Sequence, residues 1–152
     1  MRAYPLRQSA APFIINIVIF TVNDTLSVKG WMMYMVKQST TMPDEFRPRM
    51  RDGEGTVQLT SVFSPDEYRS NTRLISRITL PAGASIGYHI HEQEEEFFYV
   101  LAGEAEFNDN GTIVRIRAGD ATVTRGGEGH SVHNDGNVPF EMLAVIVTYP
   151  QV

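Results

Sequence analysis

The sequence predicts an all-β protein, a sandwich or barrel of short strands preceded by an N-terminal extension. Three observations support this prediction. Residues 56–149 contain many short runs rich in β-branched and aromatic residues, and Gly, Pro, Asn and Asp separate these runs at regular spacing. No internal repeat, P-loop or heptad pattern interrupts them. With 152 residues, 42% of them hydrophobic, the chain suits one domain with a sizeable core.

The individual elements follow from local patterns. Segment 56–63 alternates in hydrophobicity, and segment 64–68 resembles a single helical turn because a capping serine precedes a proline. Asn110-Gly111, between two apolar runs, predicts a tight hairpin because both residues tolerate positive φ. The predicted strands are 56–63, 74–80, 86–91, 97–101, 105–107, 113–116, 121–124, 131–133 and 140–149.

The N-terminal extension, residues 1–36, leaves three interpretations open. Its mostly apolar run, 13–22, is about half as long as a membrane span, so no transmembrane helix is expected. If translation starts at one of the methionines within 32–35, the segment is an artefact. Alternatively, its β-branched residues favour an extra strand. Two preceding arginines favour a secretory signal. We expect a cytoplasmic protein, or a secreted one if residues 1–30 are a signal.

Residues 37–55 are predicted to form an irregular arm that leads into the barrel, residues 56–152. Two prolines, two glycines and mixed charges argue against a helix here. Three of the charges are arginines, Arg47, Arg49 and Arg51. They suit an anionic substrate, and a solvated loop is the alternative interpretation.

Composition excludes several classes of function. The absence of cysteine excludes disulfide scaffolds, cysteine-based zinc sites, iron–sulfur clusters and cysteine nucleophiles. The net charge is −5, from 18 acidic and 13 basic side chains, and no clustered basic face is evident. Nucleic acid is therefore not an expected partner.

Three of the four histidines and one glutamate form a pattern typical of a metal site. His89 and His91 lie two residues apart in a strand-like stretch, so both imidazoles project to one face. Glu96 opens the next apolar run, and His130 follows a glycine-rich loop. Three imidazole nitrogens and a carboxylate oxygen suit divalent manganese, iron, nickel, copper or zinc. A group of surface or hydrogen-bonded histidines is the alternative interpretation.

The spacing of these residues resembles the first motif of the cupin superfamily, G-x5-H-x-H-x3,4-E-x6-G. The match runs from Gly83 through His89, His91 and Glu96 to Gly103 without departure.

The superfamily's second motif, G-x5-P-x-G-x2-H-x3-N, is matched at Gly119, Gly127, His130 and Asn134. It departs at Arg125, where the family usually has proline. That difference affects a turn and no ligand position. The stretch most resembles the small single-domain bacterial cupins.

The resemblance implies a double-stranded β-helix, the jelly-roll-like barrel of cupins. It also implies that His89, His91, Glu96 and His130 face one divalent transition metal inside the barrel. Small cupins commonly dimerise, so a homodimer is expected.

The polar residues next to the four predicted ligands are not expected to bind the metal themselves. Strand alternation sends His133 outward if His130 faces the cavity. Asn134 is expected to make hydrogen bonds at a turn or strand end. Glu94 and Glu95 are expected on a solvated rim, with the alternative that either one orients a histidine.

We expect a metal-dependent enzyme that acts on a small polar or carboxylate-bearing molecule. The resemblance admits dioxygenase, decarboxylase, isomerase and lyase chemistry, and the ligand set does not choose among them. No general acid or base is identified. A non-catalytic small-ligand-binding or sensor protein is the alternative.

Overall fold

The computed structural model describes residues 36–150. The alternatives for the N-terminal extension therefore fall almost entirely outside the described residues. Within residues 36–150 no helix is long and apolar enough to cross a membrane.

The described residues form ten strands and two short 3-10 turns. The turns are Ser39–Thr41 and Met50–Asp52. The strands are β1 (Asp44–Pro48), β2 (Thr56–Phe63), β3 (Thr72–Leu80), β4 (Ser85–Ile90), β5 (Glu94–Ala102), β6 (Glu104–Asp109), β7 (Thr112–Arg117), β8 (Ala121–Thr124), β9 (Gly129–His133) and β10 (Phe140–Thr148).

The strands make two antiparallel sheets, as a double-stranded β-helix requires. One sheet has the order β1-β2-β3-β10-β5-β8, and the other has the order β4-β9-β6-β7. Every pairing between neighbours is antiparallel. The predicted all-β fold is confirmed.

Side chains from the inner faces of both sheets form one hydrophobic core. Phe98 of β5 meets Phe107 of β6 edge to face, with ring centroids 6.3 Å apart. Each fully buried aromatic or aliphatic side chain contributes roughly 1.5–3 kcal/mol. The buried cluster comprises Val57, Leu59, Ile78, Leu80, Ala84, Ile86, Phe98, Val100, Ala105, Phe107, Ile116, Val132, Phe140, Met142 and Ala144.

The predicted hairpin lies between β6 and β7. Asn110 and Gly111 have φ angles of 50° and 94°, as a type I′ turn needs. The Gly111 N–H donates to Asn108 Oδ1 at 2.7 Å. This turn fixes the register that pairs Asp109 with Thr112.

Two segments differ from their sequence-based expectations. Residues 44–48 of the expected irregular arm form β1, which pairs with β2 at the sheet edge. This strand is mostly exposed and carries no apolar alternation, and Pro48 is tolerated because an edge strand need not donate every N–H. The segment 64–68 is not helical: a single turn forms, in which the Glu67 N–H donates to the Ser64 carbonyl at 2.9 Å.

Candidate metal centre

The four predicted ligands lie together between the sheets. One potential ligand atom from each of His89, His91, Glu96 and His130 lies within 4.8 Å of the other three. The Glu96 Oε2 atom is 3.1 Å from His91 Nε2 and 3.0 Å from His130 Nε2. The two Nε2 atoms are 3.3 Å apart. Three nitrogens and one oxygen at this separation suit a divalent transition metal.

A bulge in β4 turns the two nearby histidines inward. Ile86 pairs with Val132 and His89 pairs with His130, so three steps along β4 match two along β9. The extra residue reverses the alternation of side chains. Tyr88 consequently points outward, with 48% of its surface exposed, whereas both histidines of the pair line the cavity.

Two of the imidazoles are oriented by neutral acceptors. His89 Nδ1 lies 3.0 Å from the Gly87 carbonyl oxygen, and His130 Nδ1 lies 2.7 Å from Thr124 Oγ1. In a metal-bound cluster, a proton on each Nδ1 would leave the Nε2 lone pair free to coordinate the metal. Such outer hydrogen bonds fix the tautomer that a metal ligand needs.

A carboxylate orients the third imidazole. His91 Nδ1 lies 3.0 Å from Glu94 Oε1. Arg73 donates two hydrogen bonds to the same carboxylate, at 2.6 and 2.7 Å. The Arg73 guanidinium is the largest cause of the lowered pKa of Glu94. Glu94 thus follows the alternative interpretation, in which it orients a histidine.

The protonation of the cluster reflects burial and mutual contact. Burial alone would raise the pKa of Glu96, but hydrogen bonds from His130 and His91 outweigh it and bring the pKa to about 2. Burial lowers the pKa of His89 to about 4. The hydrogen bond with Glu96 raises the pKa of His91 against the effect of burial. Glu96 is therefore ionised and His89 neutral at neutral pH.

Aromatic side chains shield one side of the cluster. Phe98 stacks on the His130 ring at 5.0 Å, and Phe107 meets it edge-on at 5.6 Å. His91, His130 and the glutamate of the cluster are at least 95% buried. Water is therefore excluded from this side of the cluster.

A cavity of about 550 Å³ adjoins the cluster, a size typical of small-molecule sites. Its walls include His89, His91 and Glu96, apolar side chains of the core, and arginines of β1 and the turn after it. Among these arginines are Arg49 and Arg51, which the sequence suggested for an anionic substrate.

Comparison with known proteins identifies the family. Residues 76–146 match the family model described as "Cupin domain". The oxalate-binding protein of Thermotoga maritima is 43% identical over 113 residues, which are 74% of this chain and 93% of that relative. The chain belongs to the cupin family.

Two solved structures have a similar fold. A Thermotoga maritima protein described as a predicted oxalate decarboxylase is 43% identical, with a TM-score of 0.72 over 75% of this chain and 99% of that chain. A Thermus thermophilus protein at 22% identity has a TM-score of 0.58 over 76% of this chain and 98% of that chain, a likeness of fold alone.

The turn of the second cupin motif forms although Arg125 replaces the usual proline. The Arg125 N–H donates to Glu128 Oε2, and the Glu128 N–H donates to the Arg125 carbonyl, both at 2.9 Å. These bonds close the turn. His133 lies outside the cluster, as alternation predicts. Asn134 is buried and donates to the carbonyls of Leu80 and Val138, both at 2.8 Å.

Sequence reasoning missed two residues that support this cupin's cluster. Thr124 precedes the motif histidine by six residues, and Arg73 precedes Glu94 by 21. Neither belongs to a motif. The only available signal for Thr124 was its position in a short strand that ends just before the glycine-rich loop.

Proposed function

We propose that this cupin binds one divalent transition metal through His89, His91, His130 and Glu96 and uses it to bind a small carboxylate of the oxalate class. The single observation that carries the metal proposal is the convergence of four potential ligand atoms within 4.8 Å. Mn²⁺, Fe²⁺, Ni²⁺, Cu²⁺ and Zn²⁺ all accept such ligands.

The chemistry of the cavity supports a carboxylate as the ligand. A bound divalent metal supplies a Lewis acid that binds and polarises a carboxylate oxygen. The chain itself supplies arginines on the cavity wall, whose guanidinium groups suit carboxylates. A relative named as an oxalate-binding protein supports the same class.

Binding without turnover is the function that the cavity supports best. Decarboxylation would need a group that delivers a proton to the carbon left after CO2 departs. The carboxylates on the described cavity wall are Glu96, within the cluster, and Glu45, which accepts two hydrogen bonds from Arg47 at 2.8 Å. Neither is placed as a free general acid.

Turnover remains the second candidate, since the sequence predicts an enzyme. The large cavity beside the cluster supports it, as does the relative described as a predicted oxalate decarboxylase. The reactions admitted are dioxygenase, decarboxylase, isomerase and lyase chemistry.

Metal analysis and calorimetry test the proposal. We expect about one equivalent of metal in the wild-type protein and in His133→Ala, and near-complete loss of metal in His91→Ala. His133→Ala is the matched control because that histidine lies outside the cluster. Oxalate should bind the metal-loaded protein and not the metal-free protein. Wild-type protein that binds no metal would contradict the proposal.

A product assay separates the two candidates. Oxalate recovered unchanged after prolonged incubation with the metal-loaded protein supports binding alone. Release of CO2 together with formate, which accounts for every atom of the protonated oxalate, supports the enzyme.

We also infer a homodimer and a cytoplasmic location, as the sequence predicts. Light scattering tests the first, with twice the mass of one chain as the expected result. Fractionation of the source cells tests the second.

A further inference from the structure

Two arginines on the cavity wall have no charge partner among residues 36–150. Arg47 and Arg73 also line the cavity, but a glutamate accepts two hydrogen bonds from each of them. Within residues 36–150, the side chains of Arg49 and Arg51 make no hydrogen bond or ion pair. Their guanidinium groups are therefore available to a ligand.

These arginines lie on a turn with unusual backbone geometry, residues 49–55, which we call the arm loop. Arg49, Arg51 and Asp52 have φ angles of 48°, 55° and 62°. A left-handed backbone is disfavoured for residues with a side chain and persists only where the surrounding structure holds it. The arm loop closes through the Arg49 N–H, which donates to the Gly55 carbonyl at 2.8 Å.

The arm loop is fixed to β4, the strand that carries His89. A Cβ on Gly87 would collide with the Arg51 carbonyl oxygen, so the two backbones are in close contact. The Ser85 N–H donates to the Glu54 carbonyl at 2.9 Å, and the Glu54 N–H donates to Ser85 Oγ at 2.7 Å. Met50, between the two arginines, packs against the core. The arginines are thus held at a set place relative to the histidine cluster.

The charge of the cavity wall differs in sign from the charge of the chain. The chain has a net charge of −5. Four arginines and two glutamates line the cavity. Arg47 pairs with Glu45 and Arg73 with Glu94, so the charges of Arg49 and Arg51 exceed that of the remaining glutamate, Glu96, by one. An anion is therefore attracted to this cavity by a protein that elsewhere repels it.

We propose that Arg49 and Arg51 form a subsite for the second carboxylate of a dicarboxylate whose first carboxylate binds at the metal centre. This subsite rests on the proposed function and specifies its ligand as a dianion. The arginine fork donates paired hydrogen bonds to a carboxylate, and two such groups discriminate a dicarboxylate from a monocarboxylate. The arm loop is then the element that determines specificity.

Calorimetry on metal-loaded protein tests the subsite. The variants are the double substitution Arg49→Gln/Arg51→Gln and the control Arg117→Gln. Arg117 is an exposed arginine of β7 that does not line the cavity. The ligands are oxalate and malonate, with acetate, measured by competition against oxalate, as the monocarboxylate. Metal content and thermal unfolding are measured for each variant.

We expect the double variant to keep its metal, because the four ligands are unchanged. Its Kd for both dicarboxylates should rise about tenfold or more, and its Kd for acetate should change less than about twofold. Arg117→Gln should match the wild type for every ligand.

Four results would overturn the subsite. Dicarboxylate binding by the double variant within about twofold of wild type would overturn it and leave the proposed function intact. An equal rise in the Kd for acetate would show that the arginines do not recognise the second carboxylate. Loss of metal by the double variant would show that the two substitutions act on the metal centre and not on a separate ligand subsite. Wild-type protein that holds metal but binds no dicarboxylate would overturn the proposed carboxylate ligand together with the subsite.

Discussion

His89 and His130 are direct partners across β4 and β9, and a bulge between Ile86 and His89 brings the two side chains to the same face. Without the extra residue, the alternation that buries Ile86 would bury Tyr88 and send both histidines of the pair outward. The cluster therefore depends on a backbone irregularity as much as on its ligand side chains.

Substitution of Gly87 by alanine tests this dependence. The new methyl group would collide with the Arg51 carbonyl oxygen. We expect a loss of about 1–3 kcal/mol in the free energy of unfolding, together with weaker metal binding, because the bulge and the arm loop must shift. Chemical denaturation and metal titration measure the two effects. Gly136→Ala is the control, since its methyl group would meet only the end of the Asn134 side chain at 3.3 Å.

Replacing Glu94 by glutamine removes the charge that joins Arg73 to His91. We expect metal affinity to fall about 10–100-fold, because His91 loses the carboxylate that fixes its tautomer. Competition with a chelator measures the change. Glu95→Gln is the matched control, since the adjacent side chain of a strand points to the other face. An equal loss of metal affinity in Glu94→Gln and Glu95→Gln would contradict an orienting role for Glu94.

Thr124 and Thr122 offer a paired test on one strand. Thr124→Val leaves the buried His130 Nδ1 without its partner, so we expect about 1–3 kcal/mol of destabilisation and weaker metal binding. Thr122→Val should be neutral or slightly stabilising, because the Thr122 hydroxyl is buried and finds no hydrogen-bond partner within the described part of the chain. Denaturation curves of the two variants give the comparison. A Thr124→Val protein as stable as the wild type would count against the hydrogen bond.

Metal affinity should depend on pH through His91. The hydrogen bond with Glu96 raises the pKa of His91 above its ordinary 6.5, so a proton competes with the metal for this imidazole more strongly than at an unperturbed histidine. Affinity should rise as pH increases through that pKa and fall as pH decreases. His89, whose pKa is about 4, adds competition only in more acidic solution. Metal titrations from pH 5 to pH 8 test this, and a flat affinity would contradict it.

Local signals explain which elements the sequence predicts. The hairpin at Asn110-Gly111 follows from two residues that set their own backbone angles. The spacing of His89, His91 and Glu96 indicates a local turn between two strands. Such features depend on neighbours in the chain, so one sequence suffices to predict them.

The features that the sequence does not predict depend on distant partners. Strand β1 has polar, exposed side chains and forms because β2 offers a free edge. The contact of Arg73 with Glu94 joins residues on β3 and β5 that lie on either side of β10 in the sheet. The bulge between Ile86 and His89 becomes visible only when β4 is aligned with β9.

The origin of the ligands has a consequence for stability. Glu96 belongs to the six-stranded sheet, whereas all three histidines come from the four-stranded sheet or from the residue directly after β4. An ion held by all four would cross-link the two halves of the barrel at one end. Chelation should then lower the melting temperature, and slow exchange of the strand amides around His130 should become faster, because the sheets would separate more readily at that end.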